Sequence, residues 1–188
     1  ALDKAMTLFW QHGYEATSLS DLVEATGAKA PTLYAEFTNK EGLFRAVLDR
    51  YISRFAAKHE AQLFCEEKSV EQALQDYFCA VATCFTSKDT PAGCFMINTS
   101  ATLAASSKEI ANTVKSRHAM QEETLSTFLA QRQQRGEIPA QCNPQLLAQY
   151  LSCILQGMSI SAREGATLEK LQSITQTTLR LWPELLKL

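Results

Sequence analysis

The sequence predicts an all-α protein made of a small N-terminal helical unit and a larger helical body. Hydrophobic residues make up 46% of the 188 residues, which is enough for a substantial core. Apolar residues recur at helical spacing over most of the chain. Seven glycines and five prolines are too few for a fold of short strands joined by many turns.

The first helices are short and are separated by turns. A first helix, interrupted at Gly13, is predicted by an apolar face of Leu2, Ala5, Met6, Leu8 and Phe9. A second helix covers 20–26, and Gly27 suits the turn after it because glycine adopts positive φ without steric cost. Pro31 fits the first turn of a third short helix. This order and spacing are typical of a helix-turn-helix that reads DNA.

Longer helices are predicted after residue 39. Their start signals are Asn39, Ser69 and Asn143-Pro144, and their stop signals include Gly136 and Pro183. The predicted elements are a helix at 40–63, a helix at 70–85, an apolar stretch at 94–105, and helices at 108–135, 144–162 and 168–182.

The last two of these helices predict a partner surface. The apolar residues of 146–160 cover more than one helical face, which in a small protein indicates burial on two sides. The helix at 168–182 supplies a second apolar surface. Packing of both helices against a second copy would form a four-helix homodimer interface, whereas the alternative is a helix that is simply central to the monomer.

A dense pattern of residues identifies a family resemblance in the first 55 residues. The pattern is Ala5, Leu8-Phe9, Gly13-Tyr14, Ala16-Thr17-Ser18, Leu22, Ala25, Gly27, Thr32-Leu33-Tyr34, Phe37, Lys40-Glu41 and Leu43. It resembles the tetracycline-repressor (TetR/AcrR) family of bacterial transcription regulators, and the rest of the chain matches only in helical layout and length. The resemblance implies a DNA-binding domain at 1–46, an effector-binding and dimerisation domain at 47–188, and a repressor of a palindromic operator.

The third helix is expected to contact double-stranded DNA. Spacing predicts that Phe37 packs inward while Tyr34 faces outward, toward a phosphate or a thymine methyl. Lys29 stands where the family more commonly carries serine or a similar cap, and it either contacts a phosphate or is simply solvated. The candidate DNA-binding residues are Thr17, Ser18, Lys29, Thr32, Tyr34 and Lys40.

The charge of the N-terminal unit is unfavourable for DNA. Residues 1–50 contain five Lys/Arg against seven Asp/Glu, although affinity for DNA depends mainly on cationic phosphate contacts. We expect a basic arm, of the kind this family carries, to have preceded Ala1. Without such an arm, the alternative is a helical ligand-binding or adaptor dimer that does not bind DNA specifically.

A small-molecule effector is expected among the middle helices. It would shift the helix that begins at Lys40 and thereby spread the two DNA-reading units. The effector is predicted to be a small apolar molecule or an electrophile. Aromatic and polar side chains on these helices are the candidate contacts, namely Phe78, Phe95, Asn98, His118, Gln121 and Gln156.

Cysteine usage suggests a second kind of effector response. Six cysteines occur without a Cys-x-x-Cys pair or zinc-like histidine spacing, so no metal site is predicted. Cys94 follows Gly93 at an expected helix start, where the helix dipole lowers a thiol pKa. The resemblance permits a redox or electrophile sensor at Cys94, and the alternative is a buried structural cysteine.

Other classes of protein are disfavoured by what the sequence lacks. None of the three histidines, His12, His59 and His118, is expected beside Cys94, as a thiol hydrolase would require. The sequence also contains no glycine-rich phosphate loop, so neither an enzyme nor a cofactor is predicted. No apolar run approaches 18 residues, and a cytoplasmic protein without a membrane partner is expected.

Overall fold

The computed structural model describes residues 1–103 and 107–188, and its regular elements in those residues are all helical. The predicted all-α class is confirmed. The elements in chain order are α1 (Leu2–Ala16), α2 (Leu19–Thr26), α3 (Ala30–Phe37), α4 (Lys40–Tyr51), a π-helical turn (Ile52–Ala56), α5 (Ala57–Glu60), α6 (Val70–Phe85), α7 (Phe95–Thr102), α8 (Lys108–Gln134), α9 (Pro144–Arg163), α10 (Leu168–Arg180) and α11 (Trp182–Leu185).

Local capping explains the helix-turn-helix at the N-terminus. Ser18 and Asp21 form a reciprocal capping box at the start of α2. Gly27 ends α2 in the left-handed conformation, with φ of 71°. Pro31 lies in the first turn of α3, as the sequence predicts.

Gly13 interrupts α1 and brings its end against α7. Its φ of 79° and ψ of 170° belong to a region that essentially only glycine occupies. A Cβ at this position would lie 2.4 Å from Oγ1 of Thr102. The predicted break at Gly13 is therefore also the point where the N-terminal helices touch the body.

Two predicted helix ends differ in detail from the structure. The helix expected over 40–63 is helical as far as Glu60, but a π-helical turn separates α4 from α5, and in it the Ala57 N–H donates to the Ile52 carbonyl. An apolar periodicity does not reveal such a local insertion, which is frequent at functional sites. The helix expected over 168–182 ends before Pro183 as α10, at Arg180, and Pro183 lies in the first turn of the short helix α11, where its missing N–H is not needed.

The element α7 joins the N-terminal helices to the body. The ring of Phe95 lies 6.2 Å from that of Trp10, 5.5 Å from that of Phe44 and 5.4 Å from that of Tyr51. On its other side, the Cys94 N–H donates to Oγ of Ser159 on α9 at 2.7 Å. The predicted apolar stretch thus becomes a central packing element, and its last two residues, 104 and 105, lie outside the described residues.

The helix α9 has two apolar faces, as the sequence predicts. Its inner face is buried and includes Leu147, Leu151, Leu155 and Met158. Large apolar side chains are exposed on its outer face and at the end of α10, namely Leu146, Tyr150, Ile160 and Leu181. No helix in the described part of the chain is long and apolar enough to cross a membrane.

Candidate DNA-reading surface and effector cavity

The helix α3 presents a polar surface to solvent. Leu33 is buried and anchors the helix, whereas Lys29, Thr32 and Tyr34 are exposed. The Tyr34 side chain is 46% exposed, which confirms its predicted outward direction. Lys29 occupies the N-cap of α3, where its ammonium group cannot accept a capping hydrogen bond, and its exposed position makes that group accessible to an anion.

The two predicted phosphate contacts at the start of α2 differ in their exposure to solvent. Ser18 is exposed, and its hydroxyl lies in the capping box with Asp21. Thr17 is only 1% exposed, and its hydroxyl donates to the Gly13 carbonyl at 2.8 Å. The Thr17 hydroxyl thus stabilises the turn after α1. Because this hydroxyl is buried and hydrogen-bonded within the protein, Thr17 is not among the proposed DNA contacts.

Lys40 is held at the edge of this surface by an aromatic ring. Its Nζ lies 4.4 Å from the centre of the Tyr14 ring, within the range of a cation–π interaction. Partial burial lowers the pKa of Lys40 from its ordinary value. The ammonium group thus lies against the Tyr14 ring and is partly shielded from water at the start of α4.

Several acidic residues of the N-terminal unit are already paired. Asp3 lies 3.0 Å from both Arg50 and Arg54, and the hydrogen bond from Arg50 is the main cause of the lowered pKa of Asp3. Two further ion pairs join Glu41 to Arg45 at 2.7 Å and Asp49 to Arg117 at 2.6 Å. The pairs with Arg45 and Arg50 leave the net charge of residues 1–50 unchanged, whereas Arg54 and Arg117 lie outside that range and place two further positive charges beside Asp3 and Asp49.

Two adjoining compartments lie beneath the π-helical turn. The inner compartment has a volume of about 430 Å³, and the outer one about 390 Å³, each including space open to solvent. Ala56, Met96 and Gln121 line both compartments. The inner compartment is also lined by Tyr51, His59, Tyr77, Val81, Phe85, Cys94, Ile97, Ser152, Leu155 and Gln156.

Some of the predicted effector contacts line the cavity, whereas others are buried in the hydrophobic core. Gln121 lines both compartments and Gln156 lines the inner one. Phe78 and Phe95 are buried in the hydrophobic core, and neither lines the two compartments. Phe95 is turned instead toward the aromatic rings of α1 and α4.

Asn98 and His118 are also directed away from these compartments. The Asn98 amide donates to the Ala92 carbonyl and so stabilises the loop before α7. Nε2 of His118 is buried without a hydrogen-bond partner among the described residues, and burial lowers the pKa of its ring. Both residues lie on helices that border the cavity, but neither side chain lines either compartment.

Sequence reasoning missed four polar residues of the inner compartment. They are Tyr51, His59, Tyr77 and Ser152. Tyr51 and Tyr77 are indistinguishable from core positions in an apolar helical pattern, and Ser152 lies on a helix whose pattern predicts only packing. The tertiary structure alone shows that all four side chains face the inner compartment.

Cys94 is the N-cap of α7, but its thiol is not acidified. Its Sγ accepts a hydrogen bond from the Tyr51 hydroxyl at 3.3 Å, and it is also approached by the N–H groups of Met96 and Ile97. These donors favour the thiolate, as the sequence predicts for a helix start. Burial outweighs them because the residue is only 3% exposed, and the pKa of Cys94 is raised.

The raised pKa predicts slow alkylation of Cys94 in the folded protein. At pH 7.5 its carbamidomethylation by iodoacetamide should be at least about 10-fold slower than in the guanidinium-unfolded chain, because the thiolate fraction and the access are both lower. The rate should keep rising as the pH passes the ordinary thiol value. Mass spectrometry of the Cys94 peptide measures both. An equal or faster rate in the folded protein would contradict a buried thiol.

Comparison with known proteins assigns both parts of the chain. Residues 1–47 match the model of the bacterial regulatory proteins of the tetR family, and residues 70–178 match the tetracyclin repressor-like C-terminal domain. The HTH-type transcriptional repressor ComR of Escherichia coli K12 is 80% identical over 187 residues, covering 100% of this chain and 89% of ComR. The HTH-type transcriptional repressor BdcR of the same organism is 29% identical over 171 residues, covering 91% and 81%.

A solved structure agrees with these matches. A cysteine mutant of the TetR family regulator CifR, complexed with 26-bp double-strand operator DNA, superposes with a TM-score of 0.92 at 27% identity. The match covers 97% of this chain and 95% of that one. The two family models, the near-complete match to ComR and the shared helical layout lead to one conclusion: this chain belongs to the TetR family of bacterial transcriptional regulators.

Proposed function

We propose that this protein represses transcription as a homodimer that binds a palindromic operator and releases it when an effector enters the cavity. The observation that carries the proposal is the exposed polar face of α3 on a capped helix-turn-helix, which packs against Phe95 of the helical body. The relatives ComR and BdcR are named as repressors, and CifR is seen with operator DNA.

The proposed DNA contacts are divided between bases and phosphates. Thr32 and Tyr34 lie on the exposed face of α3 and would reach base edges or the thymine methyl group. Ser18, Lys29 and Lys40 surround that face and would contact phosphates. Arg54 and Arg117, which lie outside residues 1–50 and pair with Asp3 and Asp49, offset part of the repulsion that the formal charge implies.

A second copy is needed for specificity. A single eight-residue helix reads only a few base pairs, whereas two helices related by a two-fold axis read a palindrome with fixed half-site spacing. The exposed apolar side chains of α9 and α10 would be covered in such a dimer. The dimer interface would thereby set the distance between the two copies of α3.

The π-helical turn connects the cavity to the DNA-reading unit. Ile52 and Ala56 belong to this turn and line the outer compartment, and Tyr51 at the end of α4 lines the inner one. A ligand that fills either compartment pushes on the C-terminal end of α4. Displacement of α4 would change the spacing of the reading helices and release the operator.

The remaining assignments follow from this role. We divide the chain into a DNA-binding domain at 1–46 and an effector-binding and dimerisation domain at 47–188, with α4 crossing the boundary. The protein would act in the cytoplasm, where the operator is. A regulator rather than an enzyme is favoured because the similar proteins are named as regulators.

Fluorescence anisotropy with the DNA upstream of its own gene tests the proposal. Tight binding that weakens steeply between about 50 and 200 mM salt is expected, because phosphate contacts release counterions. Release by a quinone in the native protein but not in Cys94→Ser would assign a thiol response, whereas release in both would assign a non-covalent one. Absence of binding at either salt concentration would contradict repression and favour an adaptor dimer.

A further inference from the structure

The outer face of α9 carries a contact surface that a single chain leaves open. We propose that α9 packs against α9 of a second copy of this chain, and that the two helices cross at Cys153 and Gly157 beside the two-fold axis. This inference rests on the proposed function in taking a homodimer as the assembly. Three properties of the outer face support it, namely a stripe of exposed residues opposite the core, the absence of charge, and a glycine that the single chain does not require.

One continuous stripe of exposed residues follows the outer face of α9. It consists of Leu146, Tyr150, Cys153, Gly157 and Ile160. Intervals of four and three residues keep these positions on one side of a helix, because a helical turn takes about 3.6 residues. The buried residues of α9 lie on the opposite side and belong to the core. The stripe therefore points away from the monomer, although Leu146, Tyr150 and Ile160 are large and apolar.

The charge pattern of α9 indicates what kind of surface covers the stripe. The segment from Pro144 to Ala162 contains no charged residue, whereas a helix face that stays in water normally carries charged side chains. A charged partner surface would lose its hydration against the stripe without gaining an ion pair. The neighbouring α10 exposes Glu169, Lys170 and Arg180. The stripe of a second copy is uncharged over the same length, and it is therefore the surface that suits α9.

Gly157 has no role that a single chain explains. It lies inside α9 and is not among the glycines with positive φ. A Cβ at this position would meet nothing within 4 Å, so no neighbour in the described chain requires its absence. Glycine in a helix interior is less favourable than alanine. The remaining use of glycine is to allow another backbone to approach closely, and the exposed position of Gly157 directs that approach to a second chain.

Two-fold symmetry brings the small residues of the stripe together. Cys153 and Gly157 lie one helical turn apart in the middle of the stripe, between the larger Tyr150 and Ile160. In a symmetric contact, residues beside the axis lie close to their own copies. Helices that pack together have axes roughly 8–10 Å apart. The two Cys153 thiols of a dimer would therefore lie within reach of a short crosslinker.

Crosslinking of the native protein with bismaleimidoethane tests the position of Cys153. Cys153 is the exposed member of the six free cysteines, so it should react first. A covalent dimer is expected on a denaturing gel, with a Cys153–Cys153 peptide in the mass spectrum, and Cys153→Ser should abolish it. A native dimer that gives no Cys153–Cys153 peptide would overturn the inference.

The variant Gly157→Leu tests the crossing point. The open space around its Cβ should allow the chain to fold, which circular dichroism checks. In the dimer, the added side chain should raise the dissociation constant at least about 10-fold, because overfilling a packed contact is unfavourable. Sedimentation measures this constant. Ala119→Leu is the matched control, since it adds a similar side chain to an exposed position of α8 and should leave the dimer unchanged.

The outcomes separate this inference from the proposed function. A Gly157→Leu dimer as tight as the native one would overturn the inference, as would a native protein that sediments as a monomer. If Gly157→Leu does not fold, the crosslink decides by itself. Operator binding by a dimer that fails the crosslinking test would keep the proposed function. A dimer joined through Cys153 that does not bind its operator would instead keep the α9 contact and contradict repression.

Discussion

Replacement of Phe95 by alanine is expected to destabilise the protein by about 3–5 kcal/mol. Phe95 is 0% exposed and contacts the rings of Trp10, Phe44 and Tyr51. Its removal leaves a cavity at the joint between the DNA-reading helices and the body, where rigid neighbours cannot collapse. Urea unfolding at one fixed protein concentration measures the change, because unfolding of a dimer depends on concentration.

Phe64→Ala is the matched control for this prediction. The same side chain is removed, but Phe64 is 41% exposed and its nearest aromatic neighbour is Phe128, at 6.1 Å between ring centres. It should lower the free energy of unfolding by about 1–1.5 kcal/mol, as the removal of a partly exposed side chain does. A loss in Phe95→Ala no larger than that in Phe64→Ala would show that α7 does not hold the two parts together.

The variant Tyr34→Ala should weaken operator binding by about 100-fold while leaving the dimer intact. Each Tyr34 contact is worth roughly 1–1.5 kcal/mol, and a two-fold symmetric complex loses two of them. Tyr34 lies in α3 and is 46% exposed, so its truncation should change the free energy of unfolding by less than about 0.5 kcal/mol. Anisotropy gives the affinity, and analytical ultracentrifugation gives the oligomeric state.

Two further variants identify the kind of contact. Tyr34→Phe keeps the ring and loses the hydroxyl, so it should retain affinity if Tyr34 contacts a thymine methyl and lose it if the hydroxyl contacts a phosphate. Phe64→Ala removes an exposed aromatic side chain from the body and should leave operator affinity unchanged. Unchanged affinity in Tyr34→Ala would remove Tyr34 from the reading surface.

Much of the fold could be predicted from the sequence because its signals act within a few residues. The left-handed Gly27 after α2 and the Asn39 cap of α4 each involve hydrogen bonds across three or four positions. The direction of Tyr34 follows from the buried position of Leu33 beside it. The family resemblance in the first 55 residues consists largely of such local features.

The residues that line the cavity could be predicted less completely than the helices. Helical periodicity indicates which face is apolar, but a buried face can turn toward the core or toward a cavity. Asn98 and Gln121 are both polar residues on such helices, yet Asn98 bonds to the loop before α7 and Gln121 lines both compartments. The π-helical turn that shapes the cavity carries no periodic signal.

The sequence by itself therefore determined the helical elements, the helix-turn-helix and the two-sided character of α9, because all of these depend on local spacing and capping. Only the tertiary structure decided the chemistry of Cys94 and the position of the cavity. The thiol meets Tyr51, 43 residues earlier, and the Cys94 N–H meets Ser159, 65 residues later. Burial by these distant elements outweighs the local effect of the helix start, and it raises the pKa that the local sequence predicts to be lowered.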